Sequence, residues 1–470
     1  YSKCGSFMKA RQIFDRLTVR DANAWSALLI GCAENGDHDE VLEYFEEMCL
    51  EGVVASSEIF VCALKAYGNI RAIDKGEKIH VEINKKGLLE KDLFLGSALV
   101  DMYTKCGSLI KAQEIFDKLP IRDTISWTSL ITGYVEHGYA EETLKWFEQM
   151  RLEGVPRDSF TFVSFLNACS KIRAVGKGQE IHAEIEREDL LENDIVMGNA
   201  LVDMYSQCGL LSKALQVFER LPVQNVVSWT SLIAGYAEHE HGDEALKCFE
   251  QMQLQGVSPN SGTLICALKA CANMGSIKKG EEIHGEIERQ GLLEGNIIVG
   301  NSLVDMYSKC GLVGKARYVF DQLPSRDVVS WTSLMSGYSQ LGDSENVFHF
   351  FDSMLAEGIW PNEVTFVVVL NTCSKMGLFN RSHTYFEAMS KHYGITATVE
   401  HYTCVVDLFT RTGRFDKTIM TVEKMPVGSD LYMWHTILGA CRNWGAMEFG
   451  ELAFKHALHS EKDTWSSLLQ

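Results

Sequence analysis

Histidines and cysteines are the residues of this sequence whose types could bind a metal or act as nucleophiles. Two series of them repeat at an interval of 102 residues: His80, His182 and His284, and Cys106, Cys208 and Cys310. A zinc site needs three or four ligands close together, whereas these histidines are single and far apart along the chain. None of the 14 cysteines forms a CxxC pair with another. We therefore predict structural histidines, reduced and buried cysteines, no metal site and no cofactor.

The same interval governs the aromatic residues, so these residues must sit on a repeated element. Two aromatic series share it: Trp25, Trp127, Trp229 and Trp331, and Tyr1, Tyr103, Tyr205 and Tyr307. Trp434 follows the last of the tryptophans after 103 residues. Independent series with one interval indicate a tandem array.

Proline and glycine divide each 102-residue unit into three pieces of 31, 35 and 36 residues, such as 93–123, 124–158 and 159–194. All seven prolines fall at the junctions of these pieces: Pro120, Pro222, Pro324, Pro426, Pro156, Pro259 and Pro361. Proline ends a helix and glycine caps one, so the junctions mark repeat ends.

Two amphipathic segments fill each piece. In 124–158, ISWTSLITGYV runs to a turn at Gly138, and EETLKWFEQM then places Leu144, Phe147 and Met150 on one helical face. Such a helical hairpin cannot bury its apolar face alone and must stack on its neighbours. We predict a partial repeat at 1–21 and a divergent segment at 431–470, with these repeats between them: 22–56, 57–92, 93–123, 124–158, 159–194, 195–225, 226–260, 261–296, 297–327, 328–362, 363–398 and 399–430.

The charge is acidic. Lys plus Arg number 44 against 63 Asp plus Glu, for a net charge of −19 and a pI near 5.2. This is not typical of a non-specific nucleic-acid binder, and it predicts weak binding where no sequence is recognised. No apolar run approaches the roughly 18 residues of a membrane span, so no membrane partner is expected.

The three pieces closely resemble the motifs of plant PLS-class pentatricopeptide repeat proteins. The strings that carry the likeness are VVSWTSLIAGYAEHEHGDEALKCFEQMQLQGVSPN (P), SFTFVSFLNACSKIRAVGKGQEIHAEIEREDLLEND (L) and IVMGNALVDMYSQCGLLSKALQVFERLPVQN (S). The 35-, 36- and 31-residue repeats thus resemble P, L and S motifs, 399–430 resembles the closing S motif, and LYMWHTILGACRNWGAMEFGELAFKHAL resembles an extension motif. The resemblance implies an all-α, right-handed α-solenoid superhelix of helix-turn-helix repeats. The tetratricopeptide alternative, a peptide-binding scaffold, lacks its W-x2-L-G-x2-Y signature here.

The resemblance also implies single-stranded RNA binding at one base per P or S repeat, selected by the repeat's fifth and last residues, which we call its selector pair. The pairs are Ser26/Ser56, Ser97/Asp123, Thr128/Asp158, Asn199/Asn225, Thr230/Asn260, Asn301/Asp327, Thr332/Asn362 and Thr403/Asp430. All of these are short side chains able to hydrogen-bond a base edge. Such residues also cap helices, which would explain the last positions but not the fifth.

The family's code assigns a base to most pairs. Thr with Asp suggests G, Thr with Asn suggests A, Asn with Asp suggests U, Asn with Asn suggests C or U, and Ser97/Asp123 suggests G. Ser26/Ser56 assigns no base, and the L repeats carry apolar fifth residues that discriminate little: Val61, Val163, Ile265 and Val367. The predicted target is n n G G n Y A n U A n G, and in editing factors the last G would lie four nucleotides before the edited C.

Two further series suit an RNA groove. Apolar residues at the second position of P and S repeats could stack on bases: Phe94, Ile125, Val196, Val227, Ile298 and Val329. Asn23 breaks this series in the first P repeat. Cations at position thirteen of S and L repeats could contact phosphates, unless they only line a solvated face: Lys105, Lys171, Lys309, Lys375 and Arg411, with Lys3 in the partial repeat. Gln207 interrupts this series in one S repeat.

No catalytic residue is expected. A zinc deaminase needs H-x-E with P-C-x-x-C, and the triplets at His182 and His284 belong to ordinary L repeats with no CxxC elsewhere. Two hypotheses stay open: an RNA-recognition subunit for C-to-U editing, with a DYW-type deaminase or other editing factor in trans or lost by truncation, or a non-editing RNA binder in stability, splicing or translation. The resemblance implies a mitochondrial or chloroplast location, with any targeting peptide outside this fragment, and no DNA partner.

Overall fold

Helices make up all the regular secondary structure of the described residues, so the predicted all-α fold of helix-turn-helix repeats is confirmed. The computed structural model describes residues 7–17, 20–36, 38–89, 92–188, 190, 194–422, 437–439, 441–442, 447–451 and 453–455. Lys3, Pro426, Asp430, Trp434 and most of the segment 431–470 lie outside them. The chain forms two compact units, residues 1–235 and 236–470.

The helices follow one another as hairpins along each unit. Unit 1 contains α1 (Phe7–Asp15), α2 (Ala22–Asn35), α3 (His38–Leu50), α4 (Ser57–Asn69), α5 (Ile73–Lys85), α6 (Leu93–Lys105), α7 (Leu109–Lys118), α8 (Thr124–Glu136), α9 (Ala140–Leu152), α10 (Ser159–Lys171), α11 (Val175–Arg187), α12 (Ile195–Gln207) and α13 (Leu211–Arg220). The unit boundary falls in α14 (Val226–Glu238). Unit 2 continues with α15 (Gly242–Leu254), α16 (Ser261–Met274), α17 (Ile277–Arg289), α18 (Leu292–Gly295), α19 (Ile297–Lys309), α20 (Val313–Gln322), α21 (Val328–Gln340), α22 (Ser344–Ala356), α23 (Glu363–Lys375), α24 (Phe379–Lys391), α25 (Val399–Arg411) and α26 (Phe415–Val422).

Buried tryptophans join each 31-residue repeat to the 35-residue repeat that follows. Trp127 of α8 is fully buried, and its ring lies 4.7 Å from that of Phe116 on α7, edge to face. Trp25, Trp229 and Trp331 pack in the same way on Phe14, Phe218 and Phe320. Because each tryptophan needs a phenylalanine from the preceding hairpin, the 102-residue interval records packing between hairpins.

Glycine lets neighbouring first helices approach closely. A Cβ added at Gly133 on α8 would lie 2.3 Å from the Cβ of Thr104 on α6. The same contact recurs in unit 2, where a Cβ at Gly337 on α21 would lie 2.9 Å from the Cβ of Ser308 on α19. The first helices therefore form a continuous row within each unit, and this row carries the fifth and second positions of the repeats.

The recurring histidines and tyrosines are partners. His80 Nδ1 lies 2.9 Å from Tyr103 Oη, and the same bond joins His182 to Tyr205 and His284 to Tyr307. Burial lowers the pKa of the three histidines and raises that of the three tyrosines to about 12. These bonds tie the second helix of a 36-residue repeat to the first helix of the next repeat, which is the structural role predicted for the histidines.

The repeated cysteines end the first helices of the 31-residue repeats. Cys106 follows α6, and Gly107 then adopts a left-handed conformation with φ of 78°, which turns the chain into α7. The thiol of Cys208 points to the carbonyl of Cys169, and burial raises its pKa. The cysteines of the described residues are free thiols, but the prediction that they are buried is only partly correct: Cys106, Cys208 and Cys310, at the ends of their helices, are half-buried, and Cys49 is exposed. No described helix has the length and apolar character to cross a membrane.

Candidate nucleic-acid interface

The selector pair of each described 31-residue repeat forms a direct hydrogen bond. Ser97 Oγ donates to Asp123 Oδ1 at 3.3 Å, and Asn199 Nδ2 donates to Asn225 Oδ1 at 3.4 Å. Asn301 Nδ2 lies 3.0 and 3.2 Å from the two carboxylate oxygens of Asp327. Each fifth residue is buried and each last residue half-buried. The fold therefore brings together two side chains that lie 26 residues apart in sequence.

The 35-residue repeats are built differently, because a threonine of the next repeat lies between the two selectors. Thr128 Oγ1 lies 2.7 Å from Thr161 Oγ1, which in turn donates to Asp158 Oδ1 at 2.5 Å. In unit 2, Thr332 Oγ1 lies 2.9 Å from Thr365 Oγ1, and Thr365 donates to Asn362 Oδ1 at 2.9 Å. The third-position threonine thus connects the selectors in both repeats. Sequence analysis missed it, although Thr161, Thr263 and Thr365 recur at the repeat interval.

Every described last-position selector also caps a helix. Asp123 and Asp158 accept from the amides of Ser126 and Thr161 at 2.8 Å. The other caps are Ser56, Asn225, Asn260, Asp327 and Asn362. In Asp158 both described bonds use Oδ1, and in Asn362 both use Oδ1 as well. Capping therefore occupies one end of the side chain, and the Asp158 Oδ2 and Asn362 Nδ2 have no bond among the described residues.

The predicted stacking residues are all solvent-exposed despite being apolar. Their exposed fractions run from 49% at Val329 to 67% at Phe94, and the others are Ile125, Val196, Val227 and Ile298. Each lies near the start of a first helix, three residues before the fifth position. Two L repeats add members that the sequence analysis did not include, Phe160 at 74% and Val364 at 58%. Both residues could have been identified from the sequence, because each occupies the second position of its repeat.

The predicted phosphate-binding cations have protein partners. Three of them pair with an aspartate four residues earlier, at 2.9, 2.8 and 2.8 Å: Lys105 with Asp101, Lys309 with Asp305 and Arg411 with Asp407. The two L-repeat lysines instead donate to carbonyls in the last turn of a preceding helix, Lys171 to Val135 and Lys375 to Ser339. The three ion pairs could have been predicted from the sequence, because residues four apart on a helix lie on the same face.

Thr403 donates to the carbonyl of Val399 at 2.8 Å, and its partner Asp430 lies outside the described residues. Thr230 donates to the carbonyl of Val226 at 2.7 Å. Within the part of the chain that the structure describes, no cluster of His, Cys, Asp and Glu is arranged to hold a metal ion.

Comparison with known proteins gives consistent matches. The model of the PPR repeat family matches residues 122–171, 224–273 and 326–375, and that of the PPR repeat matches 24–53, 97–122, 199–226 and 301–328. A pentatricopeptide repeat-containing protein of Arabidopsis thaliana is 34% identical over 456 residues, covering 96% of this chain and 62% of the relative.

Two other Arabidopsis thaliana relatives bear organelle names. A mitochondrial one is 30% identical over 464 residues, covering 98% of this chain and 67% of the relative, and a chloroplastic one is 33% identical over 467 residues, covering 98% and 53%. These names support the organellar location predicted from the sequence. The chain spans about half to two thirds of the length of such relatives.

Solved structures share the fold. The crystal structure of the pentatricopeptide repeat protein PPR10 from maize aligns with a TM-score of 0.58 at 17% identity, covering 93% of this chain and 68% of that one. PPR10 in complex with an 18-nt psaJ RNA element aligns with a TM-score of 0.52 at 15% identity, covering 97% and 82%.

Proposed function

This chain belongs to the PPR repeat family, and we propose that it binds single-stranded RNA by sequence, with one base selected by each P or S repeat. The observation that carries this proposal is the convergence of the selector pairs beside exposed apolar residues. Asn301 and Asp327 meet through hydrogen bonds, and Ile298, which lies one turn earlier on α19, is 59% exposed. A base resting on Ile298 would present its edge to this pair.

A row of such positions suits a strand that crosses successive repeats. The apolar second positions offer stacking surfaces that accept any base, whereas the selectors offer hydrogen bonds that depend on the base. PPR10, whose fold this chain shares, has been crystallised with an 18-nt RNA element. We therefore propose RNA as the ligand and the row of first helices in each unit as the binding surface.

The charges of the chain favour selective over general binding. The three i,i+4 ion pairs of the row hold their cations beside aspartates, and exposed pairs of this kind contribute only about 0.3–0.5 kcal/mol each. A phosphate can therefore take the place of the aspartate at little cost, but the carboxylate stays close and repels it. With a net charge of −19, affinity must come mainly from the bases.

A competition gel shift at fixed salt tests the proposal. The probes are a 12-nucleotide RNA with the sequence n n G G n Y A n U A n G, a scrambled RNA of the same composition and the corresponding single-stranded DNA. We expect the matched RNA to bind at least tenfold more tightly than the scrambled one, which corresponds to about 1.4 kcal/mol. Equal binding of the matched and scrambled RNAs would rule out sequence recognition.

We further propose that the chain is a PLS-class recognition subunit for C-to-U editing, with a DYW-type deaminase or another editing factor in trans. The alternation of 31-, 35- and 36-residue repeats supports this proposal. Its test is to disrupt the gene in the source organism and to sequence the organelle transcripts. Loss of C-to-U conversion four nucleotides after the final G of a matched site is the expected result. Unchanged editing with altered transcript stability, splicing or translation would instead favour a non-editing role.

A further inference from the structure

We propose that the third-position threonines of two L repeats, Thr161 and Thr365, determine base selection by orienting the hydrogen-bond donors and acceptors of the preceding selector pair. They act as positioning residues, because they are fully buried and form hydrogen bonds with the selectors. The inference rests on the RNA binding proposed above and adds a third residue to each of these pairs.

The hydroxyl protons at Thr161 can be assigned from the partners. A hydroxyl has one proton to donate and two lone pairs, and an ionised carboxylate only accepts. Thr161 Oγ1 lies 2.5 Å from Asp158 Oδ1, so its proton must point to the carboxylate. The contact of 2.7 Å between Thr128 and Thr161 then requires Thr128 to be the donor. Thr128 has no other proton and can offer a base only its lone pairs.

The same assignment holds at Thr365. The amide of Thr365 lies 2.9 Å from Asn362 Oδ1, which identifies this atom as the oxygen. Thr365 Oγ1 donates to the same oxygen and accepts from the backbone N–H of Asn362 at 3.3 Å. Thr332 must therefore donate to Thr365, and Asn362 Nδ2 remains available as a donor. Thr263 makes the same two bonds to Asn260 Oδ1.

The two repeats thus present different patterns to a base. Thr128 with Asp158 offers acceptors only, which suits the N1–H and N2–H₂ donors of guanine. Thr332 with Asn362 offers an acceptor and an amide donor, which suits the N6–H₂ donor and N1 acceptor of adenine. These are the bases that the family's code assigns to the two pairs, and here they follow from the direction of each hydrogen bond.

The chain contains natural comparisons for this role. Ile59 occupies the third position after Ser26/Ser56, the one pair to which the code assigns no base. After the 31-residue repeats the third position is serine, and Ser126 and Ser330 donate to the backbone carbonyls of Asp123 and Asp327. Those serines do not lie between two selectors, since the 31-residue pairs bond directly.

The test is the ratio of dissociation constants for RNAs with A or G at the fourth target base, because a ratio is insensitive to the folded fraction. In Thr161→Val the shape of the side chain is kept and the hydroxyl is lost, so the Thr128 proton becomes free to donate to adenine N1. We expect the preference for G to fall about tenfold, within the range for a base contact. Thr161→Ser restores the hydroxyl and should keep the preference. Ser126→Ala, at the same position of the preceding junction, should leave the choice of the third base unchanged.

Each outcome is decisive. An unchanged G-to-A ratio in Thr161→Val, or a loss of preference in Thr161→Ser as well, overturns the inference while the proposed function stands. If Ser126→Ala lowers the base preference at the third target base as much as Thr161→Val lowers it at the fourth, the inference is also overturned. Loss of any third-position hydroxyl near a helix cap would then weaken base selection. If the unsubstituted chain binds matched and scrambled RNA equally, the proposed function itself fails.

Discussion

Asn301 donates its amide Nδ2 to both carboxylate oxygens of Asp327, whereas Asn199 donates to the single side-chain oxygen of Asn225. A carboxylate can only accept, so it holds the Asn301 amide in one orientation and leaves Oδ1 as the acceptor for a ligand. That Oδ1 is buried and, like the Oδ1 of Asn199, has no partner among the described residues. A base with an N–H donor, such as N3–H of uracil, would supply the missing hydrogen bond.

We therefore predict that Asp327→Asn weakens discrimination between U and C at the ninth target base, by up to about tenfold. The amide of Asn301 would then face a partner that can donate as well as accept. Competition between RNAs with U or C at this base measures the effect. Asp321→Asn, on the exposed pair with Arg317, is the control, and an unchanged U-to-C ratio in Asp327→Asn contradicts the assignment.

Changing both selectors of one repeat should change the base it selects. We expect Thr230→Asn combined with Asn260→Asp to move the preference at the seventh target base from A to U. The discrimination should be about 1–3 kcal/mol, by analogy with bidentate base contacts. Each single substitution serves as a control. If the double variant weakens binding to all probes equally, these residues are caps and not selectors.

Removing a stacking surface should lower affinity for every RNA. We expect Phe94→Ala to weaken binding by about 1–3 kcal/mol, the range for stacking of one base on an aromatic ring, with no change in base preference. Leu152 is also apolar and 83% exposed, but it lies at the end of the second helix α9. Leu152→Ala is thus the matched control. A similar loss in both variants would show that exposed apolar area, and not its place in the row, determines affinity.

The contribution of the charged residues on the first helices to RNA binding can be tested through the salt dependence of the affinity. Asp101 holds Lys105 at 2.9 Å, so Asp101→Asn should release the lysine and raise RNA affinity at low salt. Lys105→Ala should lower affinity and reduce the slope of log K against log salt by about 0.7, the value for one phosphate of a single strand. Glu46→Gln removes the partner of Lys75 on a second helix and is the control. Unchanged slopes would show that Lys105 lies on a solvated face.

The buried histidines should make stability depend on pH. Burial lowers the pKa of His182 below its ordinary 6.5. The nearby Glu186 opposes this shift, and the positive charges of Arg220 and Lys213 reinforce it. Burial also lowers the pKa of His80 and of His284. As the pH falls through 6.5 the unfolded chain gains protons first, so stability is full above 6.5 and decreases below it. Thermal unfolding between pH 7.5 and 5.5 measures this loss.

A variant with all three histidines changed to glutamine should lose less stability over that range than the unsubstituted chain. The exposed His241, changed in the same way, provides the control. Equal acid sensitivity of the triple variant and the unsubstituted chain would assign the effect to other groups.

The sequence by itself determined the helices and much of where they begin and end. The spacing of apolar residues and the positions of proline, glycine and capping residues are local properties of the sequence. An aspartate before an apolar segment, for example, caps a helix whatever surrounds it, as Asp158 does for α10. The interval of 102 residues also identified which positions are equivalent. For that reason the exposure of Phe94 and its counterparts agrees with their predicted place in the row, while their contact with bases stays a prediction.

Only the tertiary structure decided which side chains meet. Thr128 and Thr161 lie 33 residues apart, and Asn301 and Asp327 lie 26 apart, on separate helices whose spacing depends on the packing of tryptophan, phenylalanine and glycine between hairpins. No local pattern specifies such distances. The sequence could therefore name the candidate selectors, but the direction in which each of them donates or accepts a proton follows from the neighbours that the fold places beside it.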